Sequence, residues 1–375
     1  MEMYRDVMVC TVGASLLSNF QRRDDLPPLG SKEALRWMLE QDPEQERALG
    51  AEINSIASMV SLEILDRRNT LIFLVSDTQD GETIGNVLKS FFEEHPSIGF
   101  ERIEVKKIED LDDSRIHDFK TKGLRNLVRE LGNYIKEYGN RLVINATGGF
   151  KAQIAFALAL GQAVGVPVYY RFERFPQVIE LPPLPLSLDA QLWEENMDIF
   201  QALSLFGEME EEEFEKITEG TFTQLDPRIK MLLDKEHIEG KYYISLNPMG
   251  EVFAQAMGIS NIDLSEVELK ESDVPLDKRF IFRQPEHSEQ FIIKYRALIE
   301  KIYSQPFVRK VIVTGFSQHF DRTVAVFKKR GEEIHGTIGA KGGTLRVLME
   351  TTASNDLERR AAVWQLNQLS TRRKG

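Results

Sequence analysis

In the first half of the chain, short apolar runs alternate with longer stretches in which apolar residues recur every three or four positions. The runs at 7–12, 71–75, 100–105, 142–144 and 166–171 read as strands. The stretches at 31–41, 44–65, 82–94, 118–138 and 152–164 read as helices. In the fourth of these, Leu124, Leu127, Val128, Leu131 and Ile135 fall on one helical face. Strands alternating with helices predict a doubly wound, mainly parallel sheet: a Rossmann-like α/β domain over residues 1–180.

The pattern changes after a proline-dense segment at 181–186. Residues 188–260 carry an apolar-periodic helix at 192–205, an acidic run at 208–215, a short helix at 229–233, two short strands within 238–246 and a closing helix at 251–257. This predicts a small winged-helix-like middle domain. Residues 262–277 read as a solvated acidic connector. From 278 to 375 an amphipathic helix at 290–303 precedes four β-rich runs at 308–313, 323–327, 333–338 and 344–350. Gly331 and the Lys341-Gly342-Gly343 triplet supply hairpin turns. A last helix at 356–369 is capped by Asn355 or Ser354. The expectation here is an α+β domain with a small antiparallel sheet.

Three strands of the first domain end in small, hydroxyl-bearing turns. These are Gly13-Ala14-Ser15, Ser76-Asp77-Thr78 and Asn145-Ala146-Thr147-Gly148-Gly149-Phe150-Lys151. In an open parallel sheet, ligands sit beyond the carboxyl ends of the strands. There, glycine turns and helix N-termini present N–H groups to an anion, and Lys151 adds positive charge. None of the three turns is a GxGxxG or Walker A loop, so neither a dinucleotide nor a nucleoside triphosphate site is expected.

Those three motifs resemble the ligand loops of CARF domains, the sensor domains of type III CRISPR effectors. The resemblance covers residues 1–180, and its last motif, with Gly148-Gly149-Phe150-Lys151, is the most specific. It implies a homodimer that binds a cyclic oligoadenylate across its two-fold axis, cyclic tetra-adenylate being the expected ring. A two-fold ring on an isologous interface doubles every contact. The motif residues Gly13, Ser15, Leu16, Ser76, Asp77, Thr78, Asn145, Thr147, Gly148, Gly149, Phe150 and Lys151 are the implied ligand site. Ser15, Thr147 and Lys151 would meet phosphates and riboses.

Charge sharpens the division of labour. The chain carries a net charge of −12, yet between residues 278 and 375 there are 19 basic residues against 9 acidic, leaving 28 against 50 elsewhere. A basic last quarter on an acidic protein suits a polyanionic partner. The middle segment is acidic, which favours a protein partner over DNA. Cys10 is the one cysteine; a disulfide framework is excluded and a reducing cytoplasm is expected. No metal-ligand spacing occurs among the six histidines, so neither metal nor cofactor is expected. No membrane-spanning run or signal peptide is read.

The C-terminal layout of helix, small antiparallel sheet and helix, with basic residues on the sheet, resembles RelE-type toxins over 285–370. Thr344-Leu345-Arg346-Val347-Leu348 stands where that family has its arginine strand. The resemblance implies a metal-independent endoribonuclease acting on ribosome-bound mRNA, in which the 2′-hydroxyl attacks and clustered cations stabilise the phosphate. Arg322, Lys328, Arg330, His335, Lys341 and Arg346 are the candidate catalytic residues, with Lys329 beside them. No tyrosine fills the role often seen in RelE-like sites, since Tyr303 lies in the helical stretch; acid and base stay unassigned.

The whole chain therefore resembles CARF–RelE fusion ribonucleases, which implies translation inhibition in antiviral defence and a grip of the middle domain on the ribosomal stalk. Two alternatives remain. Arg330 and His335 satisfy the R-x4-H signature of HEPN ribonucleases, although the flanking alternation argues for a hairpin where HEPN domains are helical. A CARF–winged-helix transcription regulator is the other. A first domain that hydrolyses its own ring ligand through Ser15 or Lys151 is a third reading.

Overall fold

Five short strands, β1 (Val7–Thr11), β2 (Thr70–Val75), β3 (Arg102–Lys107), β4 (Leu142–Asn145) and β5 (Val168–Tyr170), run parallel in one sheet. A sixth, β6 (Ile179–Leu181), closes the edge antiparallel, giving the order β3-β2-β1-β4-β5-β6. β1, β2 and β4 are buried along their whole length, as strands covered by helices on both faces must be. Their alternate side chains feed two cores. Met8, Cys10, Leu71 and Phe73 pack on one side, and Val7, Val9, Ile72 and Leu74 on the other. The computed structural model describes residues 4–172, 175–182, 187–218, 220–282 and 288–371.

The chain divides into two compact units. The first comprises Met1–Leu188 together with Glu251–Ile259; the second comprises Asp189–Gly250 and Ser260–Gly375. The segment expected to stand alone as a middle domain, 188–260, is therefore shared out. Residues 189–250 fold with the C-terminal sheet, and residues 251–259 join the first unit. The attachment there is specific. Glu251, fully buried, accepts from Arg129 Nη2 at 2.9 Å and from Gln255 Nε2 at 2.7 Å, and Gln255 Oε1 accepts from Lys136 at 2.7 Å. Most of the proline-dense segment, 183–186, lies outside the described residues, as do 372–375.

In the second unit, β7 (Glu208–Glu210), β8 (Leu233–Ile238) and β9 (Lys241–Leu246) form a small sheet in the order β7-β9-β8. Glu239 and Gly240 both have positive φ, 49° and 85°, the backbone of a two-residue hairpin turn. The larger sheet has the order β10-β11-β14-β13-β12. β11 (Val308–Gln318), β12 (Val324–Arg330), β13 (Glu333–Ala340) and β14 (Gly343–Thr351) are the antiparallel strands expected from the alternation. β10 (Phe280–Ile281) adds a parallel edge too short to carry a pattern. The helix expected at 290–303 breaks at Tyr295 into Glu289–Lys294 and Arg296–Tyr303.

The last helix, Asp356–Thr371, is capped by Asn355, whose Oδ1 accepts from Glu358 N at 2.9 Å, while Glu358 reaches back to Ser354 N at 2.6 Å. This helix also closes the exposed edge of β12. Asn367 accepts from Phe327 N at 2.8 Å and donates to Phe327 O at 2.9 Å, occupying the ladder groups that another strand would pair with. The 262–277 stretch differs from a free solvated connector: Thr352 Oγ1 donates to Lys270 O at 2.7 Å, and Arg279 Nε donates to Val274 O at 2.8 Å.

Candidate functional site

Because β1, β2 and β4 are parallel, the turns that follow them leave the same edge of the first sheet. They are not equivalent there. The turn after β2 is occupied with structure. Thr78 caps the helix Gln79–Glu94 by accepting from Gly81 N at 3.0 Å, and Ser76 and Thr78 share a hydrogen bond of 2.8 Å. Asp77 pairs with Lys107 at 3.1 Å, and that contact holds its carboxyl below the usual range.

The turns after β1 and β4 form one construction around Glu52, which is 1% exposed. Glu52 Oε1 accepts from Gly13 N at 2.7 Å and its Oε2 from Ser15 Oγ at 3.2 Å; Ser15 Oγ in turn accepts from Ala51 N at 2.9 Å. Thr11 Oγ1 donates to Gly148 O at 2.5 Å. A Cβ on Gly148 would stand 2.0 Å from Glu52 Oε1, and one on Gly13 would stand 2.6 Å from Gly149 N. Glycine at both positions thus permits the two loops and the carboxylate to meet. The Gly13 N–H, which the sequence offers to a ligand, is held by this internal anion instead.

Burial pushes the Glu52 carboxyl above the ordinary glutamate range, against the opposing pull of its hydrogen bonds from Gly13 and Ser15. A carboxyl raised in the folded state binds more protons there than in the unfolded chain, so its contribution is complete at acid pH and is lost as pH rises through the folded value. We therefore expect Glu52→Gln, which keeps the acceptor for Gly13, to flatten the decline in stability as pH rises above the ordinary glutamate range. Urea midpoints of both proteins across that rise test this; parallel curves would refute it.

Asn145 orders the next shell. It donates to Ser55 Oγ at 2.8 Å and accepts from Thr147 Oγ1 at 2.6 Å, while Thr147 Oγ1 accepts from Arg171 N at 3.1 Å. Ser15 and Thr147 then line one cleft of about 390 Å³, together with Asn19, Arg22, Arg47, Asn54, Arg171 and Phe175 among others. Arg171 is fixed by three carbonyls, those of Asn54 at 2.5 Å, Glu44 at 3.0 Å and Phe175 at 3.4 Å. Among the described residues these carbonyls engage three of its five N–H donors. Partial burial pulls its pKa down while it stays a cation. The cleft combines three arginines, amide groups, one aromatic edge and a single carboxylate, Glu44, and the excess of cations suits nucleotide phosphates and bases.

Other members of the expected set fall elsewhere. Leu16 is wholly buried in the core, so its side chain meets no ligand. Phe150 is partly exposed and packs edge-on against Phe119 at 5.3 Å. Lys151 is exposed and opens the helix Lys151–Val164, whose first turn has no side-chain cap, and Gly149 precedes it at φ +100°. Beneath that turn lies Gln153, 1% exposed, with neither amide atom hydrogen-bonded. Arg171 was within reach of the sequence, since it follows the fifth parallel strand at the same edge. Arg22, Arg47 and Asn54 lie outside the strand ends and carry no such signal.

In the second unit the expected cations do not gather at one point. Lys328, 5% exposed, pairs with Asp198 at 2.5 Å, and burial pushes Asp198 upward despite that partner. Arg322 pairs with Glu213 at 3.1 Å and lies over the Phe206 ring; Lys329 pairs with Glu194 at 3.0 Å. His335 meets Glu333 at 3.0 Å and sits opposite Lys328 across the β12–β13 hairpin. Arg346 is half-buried opposite Thr337, and Arg330 is exposed. Lys341 occupies the far turn of β13, about 20 Å along the strand from His335. Arg330 and His335 belong to a β-hairpin, so the helical arrangement of a HEPN pair is not what this R-x4-H stretch forms. Among the described residues, no group of three or more metal-ligating side chains occurs, and no helix is long and apolar enough to cross a membrane.

The first unit thus belongs to the class of open α/β sheets, with a cleft at the carboxyl edge of the strands, where such sheets bind ligands. Residues 47–184, from Arg47 in the cleft to just beyond β6, match a family described as CRISPR-associated protein (Cas_APE2256). Among solved structures, the chain is similar to Can2 from Sulfobacillus thermosulfidooxidans in complex with cyclic tetra-adenylate (cA4), with 12% identity over 93% of this chain and 75% of that one, at a TM-score of 0.28. It is similar also to protein VC1899 from Vibrio cholerae, with 11% identity over 92% of this chain and 77% of that one, at a TM-score of 0.27. Scores this low carry no argument about fold or ligand.

Proposed function

We propose that the chain is a CRISPR-associated effector whose first unit senses a cyclic oligoadenylate and whose second unit is a metal-independent, RelE-like endoribonuclease acting on ribosome-bound mRNA. The observation that carries this reading is the cleft joining Ser15 and Thr147 to Arg22, Arg47 and Arg171, of which Arg47, Thr147 and Arg171 fall within the segment matched by a CRISPR-associated family. These arginines, with Lys151, would share the ring phosphates that face their protomer, and Phe175 would stack an adenine. Homodimerisation would present the ring with two such clefts. The helix Lys151–Val164 favours it: this helix is almost wholly apolar, yet only four of its residues are buried.

In the second unit, His335 would accept the 2′-hydroxyl proton, and Arg346, with Lys328, Arg330 or Arg322, would stabilise the charged phosphate. Residues 189–250, acidic and carrying the β7–β9 sheet, would supply the grip on the ribosome. The test is incubation with cyclic tetra-adenylate and either naked RNA or translating ribosomes. The expected result is nucleotide-dependent cleavage of ribosome-bound mRNA, weakened at least tenfold by Arg171→Ala. Cleavage of naked RNA lost in His335→Ala would support a HEPN-like activity instead. Retained DNA without cleavage would support a regulator.

A further inference from the structure

The larger sheet of the second unit has two unlike faces. Leu345, Val347 and Met349 of β14 point into the core, and Arg346 and Leu348 point away from it. Cross-strand register sets Lys328 opposite His335 and Arg346 opposite Thr337. Lys328, His335, Thr337 and Arg346 therefore share one face, the face to which the ribonuclease reading assigns RNA.

That face is not open. The helix Met197–Phe206 lays Asp198 on Lys328 at 2.5 Å, with both side chains almost fully buried. Thr337 Oγ1 donates to Ile217 O at 3.3 Å, from the helix Glu211–Thr218. At the mouth of β12, Arg322 Nε meets Glu213 at 3.1 Å and Arg322 Nη1 donates to Glu208 O at 2.8 Å. Within 197–217, Asp198 and Glu213 put carboxylates where RNA would bring phosphates. A buried ion pair is seldom more stable than an apolar pair of the same volume, and its best-attested use is in specificity and switching.

Resting on the ribonuclease reading, we propose that residues 197–217 are an autoinhibitory cover, an internal polyanion that occupies the RNA face until activation exchanges its carboxylates for phosphates. Such an exchange keeps Lys328 and Arg322 paired throughout, which lowers the barrier to opening.

Two measurements on the full-length protein test this. Asp198→Asn, which preserves shape and removes the charge, should raise cleavage of ribosome-bound mRNA without nucleotide at least tenfold. In the wild-type protein, cyclic tetra-adenylate should speed hydrogen exchange of backbone amides in 197–217 and 324–337 at least tenfold. Nucleotide-triggered cleavage with exchange unchanged, and with Asp198→Asn no more active than wild type, would overturn the cover and leave the ribonuclease reading standing. No cleavage by either protein, with or without nucleotide, would overturn the ribonuclease reading and the cover with it.

Discussion

A single methyl group at Gly148 should destabilise the first unit by about 3 kcal/mol and abolish binding in its cleft. The added carbon would sit 2.0 Å from Glu52 Oε1 and 2.7 Å from the carbonyl of Thr11. Neither can retreat. Thr11 belongs to a central strand, and Glu52 is buried and held by Gly13 and Ser15. Relief requires the β1 and β4 loops to part, which separates Ser15 from Thr147 and widens the cleft. Gly165→Ala is the control. Its φ is +74°, but no atom lies within 4 Å of the added carbon, so it pays only for left-handed backbone, about 1 kcal/mol. Denaturant midpoints and calorimetric titration with cyclic tetra-adenylate measure both effects. Equal midpoints for the two variants would show that the loop junction is not tight.

The contrast between these glycines shows what a sequence does and does not make readable. Strand–helix alternation was legible because β1, β2 and β4 are buried on both faces while helices such as the one at 124–138 bury one, so packing writes itself into periodicity. Parallel order then places three turns at one edge without further information. What periodicity cannot convey is which polar groups are already satisfied. Ser76, Asp77 and Thr78 look like Ser15 and Thr147 in the chain, and all of them are held internally, by a helix cap and Lys107 in one turn and by Glu52, Ala51, Asn145 and Arg171 N in the others; what separates them is that only Ser15 and Thr147 line the cleft. Glu52 lies 39 residues from Gly13 in a helix, with no local feature to announce that it fills the space between two glycine turns.

The same lesson applies with more force to the second unit. A basic last quarter reads as an open nucleic-acid surface, because composition counts charges without their partners. Carboxylates from residues 194–213, more than 100 positions earlier, meet Lys328, Lys329 and Arg322, and Asp356 adds a second to Lys329. Strand alternation correctly groups Arg346 with Thr344 and Leu348, since it depends only on local backbone. The cover over Lys328 depends on tertiary docking, which no local pattern records.

The ion pair under that cover should show a large asymmetry between breaking it and replacing it. Asp198→Ala leaves the Lys328 ammonium buried without a partner and should lower the stability of the second unit by about 3–5 kcal/mol. Asp198→Leu combined with Lys328→Met replaces the pair by apolar groups of similar volume and should recover most of that loss. The surroundings favour this, because Val326 and the aliphatic part of Thr337 already line the crevice. A double-mutant cycle read by chemical denaturation gives the coupling directly; additive losses would mean that the two charges are not effectively paired. The double variant also separates the two roles open to Lys328. Folded but inactive on ribosomes in the presence of nucleotide, it would leave Lys328 among the groups that stabilise the phosphate. Folded and fully active, it would confine Lys328 to holding the cover and leave the chemistry to His335 and Arg346.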